Sequence, residues 1–507
     1  MTTFKWFNID TKFIYLLLIF IISRIIYYTY LDITFDSWTI DVYWQFFPKE
    51  LLANDLINSI IYNHYQPPFL NLLIGSLMHL TEYYILVLHI FYLSCGCFSF
   101  FVIYLIAIDF KFSHNFSFIL TVVLMVLPTT ILYENHLYKE QLTFFLLISL
   151  FYSTLKIYSS PNLMKYTLYT SLSLSLLCLT RETFHIFWGY LLIFIVQKKL
   201  NNIKKIILFM IFTIFVSPFY FKNLILYDKF GLNVSIIYEH LNQKIDYVKE
   251  MKDPMKHVKI RENSFGSYDD FNKFKNKASK LFNTKIYSSA ESYKNKINYN
   301  NIYNNKLLNS NTSFNEVHIE VDKYRKIDFL LILREQPALI GLNILNSITR
   351  HLFTSSDYFN FTKHNADKMK NMIKISDCLK LTPVCIYEYK FNKITSYAGS
   401  NQPYETIDTG PLNYSEKIIL SLQHTNFLLV IVYLTLLGYL MINFNKKDEK
   451  YFMKFWLLTF IFIFSSLVIF EDGEIARHRY PFDYLCFLIF LKKVRDYMVS
   501  KKIAFYS

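Results

Sequence analysis

Residues 84–108 read YILVLHIFYLSCGCFSFFVIYLIAI and contain no Asp, Glu, Lys or Arg. An apolar run of about 17–25 residues has the length of a helix that crosses a lipid bilayer. A second apolar run, in which Arg24 is the single charged residue, extends from Phe13 to Tyr30. Such runs predict that the chain is an all-α integral membrane protein.

The composition of the whole chain agrees with this prediction. Of the 507 residues, 53% are hydrophobic and 19% are aromatic, whereas only 10 are glycine, and the formal net charge is +14. Because the hydrophobic residues fall in long runs, the chain is not expected to be a soluble enzyme, a disordered protein or a small disulfide-rich secreted module. No nucleic-acid partner is expected either.

Ten segments are candidate spans, although several are near the lower limit of length. They are 13–31, 84–108, 115–133, 141–158, 166–180, 183–197, 204–221, 418–443, 453–470 and 480–497. We therefore predict a bundle of about ten transmembrane helices, within a range of about nine to twelve. The apolar segment 67–80 is shorter, and its length favours an interfacial or re-entrant helix over a span.

The basic residues predict the orientation of the bundle. Lys and Arg accumulate in cytoplasmic loops, and they are concentrated in 198–205, in 444–452 and in the C-terminal tail. Both termini are therefore expected in the cytoplasm, with 32–83 and 222–417 on the outer face. The expected location is a bacterial inner membrane, or the endoplasmic reticulum membrane if the chain is eukaryotic.

Three parts of the chain follow from this topology. Residues 1–221 form an N-terminal transmembrane module, residues 222–417 form an outer region, and residues 418–507 form a C-terminal transmembrane module. Within the outer region, 242–326 is a low-complexity insertion rich in Asn, Lys, Tyr and Ser. The amphipathic stretch 327–353 is expected to lie along the outer membrane interface.

Cysteine and metal motifs are sparse. Cys378 and Cys385 lie in the outer region, where they either close a small disulfide or remain two free thiols. The other cysteines fall in apolar segments and are expected to pack there. The sequence contains no CxxC, HExxH or Walker motif. A cofactor is therefore unknown, and a divalent metal stays open, with Asp41 and Glu140 as its candidate ligands.

Charged residues gather at the predicted outer ends of the spans. Because Arg181 and Glu182 stand in a minimal turn between two apolar segments, their charge is costly unless it lines a polar cavity. Acids beside fixed cations suit transfer of a group from a phosphate ester, since a carboxylate takes up a proton and arginines stabilise the departing phosphate. The residues at this depth are Asp36, Asp41, Glu134, Glu140, Arg181, Glu182, Lys222, Glu474, Arg477, His478 and Arg479.

Two other classes of protein compete with a transferase. A transporter or flippase of lipid-linked glycans usually carries polar residues inside its spans and often has internal repeats. Here the charges stand at one edge, only Arg24 lies well within a long span, and no repeat is found. A membrane-anchored binding protein would instead use the long outer region. Chemistry at the outer face would require a lipid-borne substrate, since nucleotide-activated donors are absent there.

Six motifs follow one another along most of the chain. They are DSWTIDVY (36–43), HYQPPF (64–69), LPTTILYENHLYKEQ (127–141), LCLTRETFHIFW (177–188), VSPFYFKN (216–223) and EDGEIARHRYPFDYL (471–485). In this order they resemble motifs of the polytopic GT-C glycosyltransferases that use polyprenyl-phosphate sugars. The branch they resemble includes the protein O-mannosyltransferases and the lipid A aminoarabinose transferase.

The resemblance implies roles for individual residues. A catalytic acid is expected in the first outer loop, where Asp41 takes the position and Asp36 is the alternative. Glu140 matches the second acidic position. The cations that face the donor phosphate correspond to Arg181, Lys222, Arg477 and Arg479. Further candidates for the pocket are His64, Glu134, Glu182, Glu474, His478 and Tyr480.

The function implied by the resemblance is that of a GT-C-like membrane glycosyltransferase. It would move a sugar from a polyprenyl-phosphate donor to a lipid, glycan or protein acceptor at the outer face, with inversion at the anomeric carbon. The chain departs from the family pattern at three positions. Val42 stands where a second acid is common, Gln66 where Lys is common, and His478 where Tyr is commoner.

Overall fold

The computed structural model describes most of residues 1–221 and 418–507 and parts of 222–417. Within these parts the chain forms helices and no strand. The described residues are 11–42, 46–47, 49–61, 63, 66–159, 164–227, 230–232, single positions between 334 and 352, 359–383, 425–443, 451–470 and 475–501.

The helices of the described chain are numbered in order from the N-terminus. The first part contains α1 (Thr11–Tyr30), α2 (Thr39–Val42), α3 (Lys49–Asn54), α4 (Leu56–Ile61), α5 (Phe69–Leu80), α6 (Tyr84–Asp109), α7 (His114–Met125), α8 (Pro128–Glu134) and α9 (Lys139–Ser159). The second part contains α10 (Met164–Thr180), α11 (Ile186–Val196), α12 (Asn202–Tyr227), α13 (Phe359–Lys368), α14 (Lys370–Leu379), α15 (Phe427–Asn443), α16 (Tyr451–Phe470) and α17 (Ile475–Ser500).

Each of the ten predicted spans overlaps a helix or a bent helix pair of the described chain, but these differ in length. Four described helices, α1, α6, α9 and α12, are long and apolar enough to cross a membrane. A fifth span is added if α7 and α8, bent by 60°, are counted as one. α10, with 17 residues, is at the lower limit of length for a span, and α11, with only 11, falls below it. The described chain is thus an all-helical membrane protein with four to five candidate spans.

The segment 67–80, predicted to be too short for a span, forms the 12-residue helix α5. Pro68 occupies its N-cap position, and a proline at a helix start costs no intrahelical hydrogen bond. The buried side chains of α5 include Leu70, Asn71 and Ile74. α5 packs against α3, α4 and α6, so it fixes the first outer loop to the bundle.

α9 lies at the centre of the described bundle. It packs against α6, α10 and α17, and α10 packs in turn against α12. Apolar side chains fill the middle of this contact, where the Phe151 ring lies 5.1 Å from Trp456 and the Phe144 ring lies 5.3 Å from Tyr480. The first turn of α9 is buried as well, although it begins Lys-Glu-Gln. A polar cluster therefore sits at one end of an apolar core.

The bend between α7 and α8 has a local cause. α7 ends at Met125, Leu127 adopts an extended backbone, and Pro128 begins α8. Every residue of α8 is buried. The bend turns the chain inward, and the short segment 135–138 then leads directly into the buried start of α9.

A buried ion pair joins α1 to α8. Arg24 Nη2 and Nε donate to Glu134 Oε2 at 2.6 Å and 2.9 Å, and the two side chains are 4% and 0% exposed. Gly96 of α6 leaves room for the pair, since a Cβ atom there would lie 2.1 Å from Glu134 Oε1. Arg24, which lies well within the first apolar run, thus has a carboxylate partner inside the bundle.

Replacing Arg24 by methionine is expected to lower the free energy of unfolding by about 3–5 kcal/mol, because Glu134 would stay buried without its ion-pair partner. Thermal unfolding in detergent measures the change. Lys12→Met on the same helix is the matched control, and the double variant Arg24→Met/Glu134→Leu should recover most of the loss. An Arg24→Met variant as stable as the control would contradict this role.

Part of the outer region is attached to the first outer loop. The Asn365 side chain of α13 donates to Thr34 O at 2.8 Å and accepts from Thr34 N at 3.2 Å. Lys368 pairs with Asp32 at 2.9 Å. α13 and α14 both pack on α8. The described positions between Arg334 and His351 are helical, whereas the insertion 242–326 and Cys385 lie outside the described residues.

Candidate functional site

Three helix ends meet where the sequence places its charged residues. α9 begins at Lys139, α10 ends at Thr180 and α17 begins at Ile475. Because α9 packs against both α10 and α17, the side chains at these ends are brought together. They are ionisable and yet buried: Lys139, Glu140, Arg181, Arg477, His478 and Arg479.

Glu140 is the acid on which two guanidinium groups converge. Its Oε1 lies 3.0 Å from Arg477 Nε and 3.8 Å from Arg181 Nη2, and the three side chains are 1–2% exposed. Arg477 also lies over the Tyr138 ring, with its Cζ 4.2 Å from the ring centroid. Two guanidinium groups against one carboxylate leave excess positive charge in a buried place.

Lys139 contacts the turn between α10 and α11, which also carries Arg181. Its Nζ lies 3.5 Å from Glu182 Oε2 and donates to Gln66 Oε1. Consecutive residues of α9 thus face consecutive residues of the α10–α11 turn, Lys139 against Glu182 and Glu140 against Arg181. Gln66 adds the Pro-Pro motif of the first outer loop to this arrangement.

Glu182 remains ionised in this environment. Burial would raise its pKa, but Lys139, the Glu182 backbone N–H and Arg181 outweigh burial and lower the pKa of Glu182 to about 2. Its charge therefore serves as the counter-ion of Lys139 and does not act as a proton carrier near neutral pH.

The network is incompletely hydrogen-bonded among the described residues. Arg181 Nη1 and Gln66 Nε2 are buried and have no hydrogen-bond partner in the described part of the chain. The Lys139–Glu182 and Arg181–Glu140 distances also exceed the roughly 2.7–2.9 Å of a charge-assisted hydrogen bond. Buried donors without a hydrogen-bond partner need an explanation, and a bound polar ligand would supply the missing acceptors.

His478 lies between two arginines. Arg181 Nη2 contacts its Nδ1, and Arg477 Nη2 lies 3.2 Å from its Nε2. His478 thus contacts both guanidinium groups and brings no negative charge to compensate them. The positive charge therefore remains available to an anion.

Arg479 belongs to the neighbouring surface of α17. Its Nε lies 2.8 Å from Asp483 Oδ1 and 3.0 Å from Asp483 Oδ2, and its Nη1 donates to His351 O. It therefore has a carboxylate of its own one helical turn away. Arg479 tethers the outer region to α17, while Arg181 and Arg477 share Glu140.

The first outer loop is paired with the segment that leads into α9. Asp36 N donates to Asn135 O at 2.8 Å, and Leu137 N donates to Asp36 O at 2.9 Å. Thr39 Oγ1 donates to Leu137 O at 2.7 Å. These bonds hold Asp36 beside the segment 135–138. The same segment places the Tyr138 ring against Arg477.

The Asp36 carboxylate faces a neutral histidine. Its Oδ2 lies 4.0 Å from His136 Nδ1. Burial raises the pKa of Asp36, although the Trp38 backbone N–H opposes this change. Burial, reinforced by the charge of Arg477, lowers the pKa of His136 to about 3. Asp36 is therefore a more basic carboxylate than an exposed aspartate, and the neutral His136 beside it does not compensate its charge.

Some predicted site residues lie elsewhere. Lys222 Nζ donates to Asn63 O and lies 3.4 Å from Ile60 O, so it contacts the loop before the Pro-Pro motif and not the arginines. Glu134 is paired with Arg24. Tyr480 borders the cluster, and its hydroxyl donates to Gln141 Oε1 at 3.1 Å.

Three predicted residues cannot be placed in the site. Asp41 lies in the short helix α2, but its side chain is outside the described part of the chain. His64 and Glu474 are outside the described residues. Of the two candidate acids of the first loop, Asp36 is the one whose side chain the structure describes.

Sequence reasoning missed Lys139, Gln66, His136 and Tyr138. A lysine at the start of an apolar helix has the pattern of an ordinary interfacial anchor. Two dipeptides in the sequence could have identified Lys139. They are Lys-Glu at the start of α9 and Arg-Glu directly after the end of α10. Both dipeptides place a basic residue before an acidic one, and at facing helix ends this order allows two crossed ion pairs, Lys139 with Glu182 and Glu140 with Arg181.

The described donor set does not suit a divalent metal at Glu140. Two guanidinium groups approach its Oε1, and they would repel a cation placed there. Among the described residues, no group of three or more His, Cys, Asp or Glu side chains is arranged to hold a metal ion. Glu140 acts here as a counter-ion for arginines.

Comparison of the chain with protein-family models, curated proteins and solved structures finds no match in any of the three.

Proposed function

We propose that the chain is a GT-C-type membrane glycosyltransferase. It takes a sugar from a polyprenyl-phosphate donor and transfers it to a lipid, glycan or protein acceptor at the outer face of a bacterial inner membrane, or of the endoplasmic reticulum membrane in a eukaryote. A bundle of about ten transmembrane helices carries the site. In this proposal, both termini lie in the cytoplasm.

The observation that carries the proposal is the guanidinium group of Arg181, which is not fully hydrogen-bonded within the described chain. It is buried, shares the single carboxylate of Glu140 with Arg477, and leaves Nη1 without a partner among the described residues. A tetrahedral phosphate provides the oxygen acceptors that such a group lacks. The described spans indicate a membrane protein, and we propose that a lipid-borne phosphate reaches this site from the bilayer.

The proposed reaction is a single displacement. The acceptor oxygen forms a bond to the anomeric carbon, the bond from that carbon to the phosphate oxygen breaks, and the phosphate keeps the electron pair. Asp36 or Asp41 accepts the hydroxyl proton. Arg181 and Arg477 stabilise the charge that develops on the phosphate. Glu140 holds the two arginines in place, and the configuration at the anomeric carbon inverts.

A transfer assay tests this proposal. The purified protein, reconstituted into vesicles, is given radiolabelled polyprenyl-phosphate mannose or aminoarabinose together with a membrane extract as the source of acceptors. Label is expected to leave the polyprenyl lipid with the wild type and not with Glu140→Ala. Lys156→Ala, on the same helix but paired with Asp109, is the matched control.

Two outcomes would overturn the transferase assignment. Movement of intact labelled lipid across the vesicle membrane without cleavage would identify a flippase. Binding of an extract component with neither cleavage nor movement would identify a binding protein.

A further inference from the structure

Lys139 occupies an electrostatically unfavourable position. It is the first residue of α9, where the helix dipole presents positive charge and disfavours a cation. Its ammonium group also feels the positive charges of Arg181 and Arg477. Among the charged groups that act on Lys139, Glu182, at 3.5 Å, and Glu140 are the two that attract its ammonium group. An anion bound at this point would relieve the repulsion.

Gln66 is held in a fixed orientation beside this ammonium group. Its backbone N–H donates to Asn63 Oδ1 at 3.2 Å, and its carbonyl accepts from Asn63 Nδ2 at 2.7 Å. Lys222 fastens the same loop by donating to Asn63 O. Because Gln66 Oε1 accepts from Lys139, the amide nitrogen Nε2 is directed away from the ammonium group and stays without a partner in the described chain.

Three buried donors lie at this end of the site: the Lys139 ammonium group, and Gln66 Nε2 and Arg181 Nη1, which have no partner in the described chain. All three belong to side chains that are at most 6% exposed. Each comes from a different element: the start of α9, the loop before α5 and the turn after α10. This is a built site for an anion with several oxygens.

We infer that Lys139, oriented by Gln66, binds the phosphate and responds to the charge that appears on it when the sugar leaves. This inference rests on the proposed function. The donor is a phosphodiester with one negative charge, whereas the departing polyprenyl phosphate is a monoester that carries about −1.5 to −2 at pH 7. A buried cation favours the more charged form, so Lys139 contributes more to the transition state than to donor binding.

The test compares two ligands that differ in this charge. Polyprenyl phosphate and its methyl diester each compete with radiolabelled polyprenyl phosphate for the protein in nanodiscs. The wild type is expected to bind the monoester at least about tenfold more tightly than the diester. Lys139→Gln should lose this preference, and Gln66→Ala should weaken it. Lys156→Gln, a lysine on the same helix that is paired with Asp109 at 2.6 Å, should keep it.

The outcomes separate this inference from the proposed function. Lys139→Gln with an unchanged preference, at wild-type thermal stability, would overturn the role of Lys139 alone. Wild-type protein that binds neither ligand would overturn the proposed phosphate site as well. Lys139→Arg restores the charge in a different geometry and should recover most of the preference. If Lys139→Arg folds but shows none, the charge of residue 139 is not what discriminates the ligands.

Discussion

Replacing Arg181 by alanine is expected to reduce sugar transfer by about a thousandfold while the helical bundle still assembles. Arg181 is 2% exposed, and it touches both Glu140 and His478. Alanine would remove the guanidinium group whose Nη1 is open to the phosphate. Because that contact strengthens as charge develops on the leaving group, the rate of the chemical step should fall more than the affinity for the donor.

The measurement pairs single-turnover rates with donor affinity in the absence of acceptor. Arg495→Ala is the matched control, since this arginine lies on α17 and donates to Phe110 O at 3.2 Å, away from Glu140. It should retain the wild-type rate. An Arg181→Ala enzyme that transfers sugar as fast as the Arg495→Ala enzyme would remove Arg181 from the reaction, and with it the assignment of the site.

Much of the helical architecture follows from the sequence. Long apolar runs such as 84–108 predict α6, and the run after Phe13 predicts α1, because hydrophobic length alone determines which segments suit a bilayer. The number of spans does not follow in the same way. The segment 183–197 reads as apolar, yet the helix begins only at Ile186, since Arg181 to Phe184 form a turn whose Phe184 N bonds to Arg181 O. The structure supports four to five spans in the described chain, fewer than the ten predicted.

The core of the candidate site was also accessible from sequence. Glu140, Arg181 and Arg477 were chosen because they stand at one predicted membrane depth, and helix packing brings them within 4 Å of a common carboxylate oxygen. The predicted membrane depth of a cation does not determine which neighbouring group it contacts. Lys222 and Arg479 fall at the same depth, but backbone carbonyls of the first loop engage Lys222, and Asp483 engages Arg479.

The sequence contained no direct signal for the role of the segment 135–138. Its pairing with the first outer loop depends on a hydrogen bond between Asp36 and Asn135, nearly a hundred residues apart in the chain. The same segment places the Tyr138 ring under Arg477. Such long-range contacts depend on the bend at Pro128, which composition and periodicity do not reveal.

Replacing Asp36 by asparagine is expected to lower the transfer rate by about a hundredfold to ten-thousandfold if this residue is the general base. Asparagine keeps the size of the side chain and removes its ability to accept a proton. Burial raises the pKa of Asp36. The wild-type rate should therefore decline on acidification at a higher pH than for an exposed aspartate, because the protonated carboxyl cannot accept the hydroxyl proton of the acceptor.

Two companion variants decide which acid of the loop acts. Asp32→Asn is the control in the same loop, because Asp32 is exposed, pairs with Lys368 at 2.9 Å and has a pKa lowered by that lysine. It should leave both the rate and the pH profile unchanged. Asp41→Asn tests the other candidate. If Asp36→Asn retains full activity with the acidic limb intact while Asp41→Asn is inactive, the base is Asp41. In that case the pairing of Asp36 with the segment before α9 serves only to hold the loop in place.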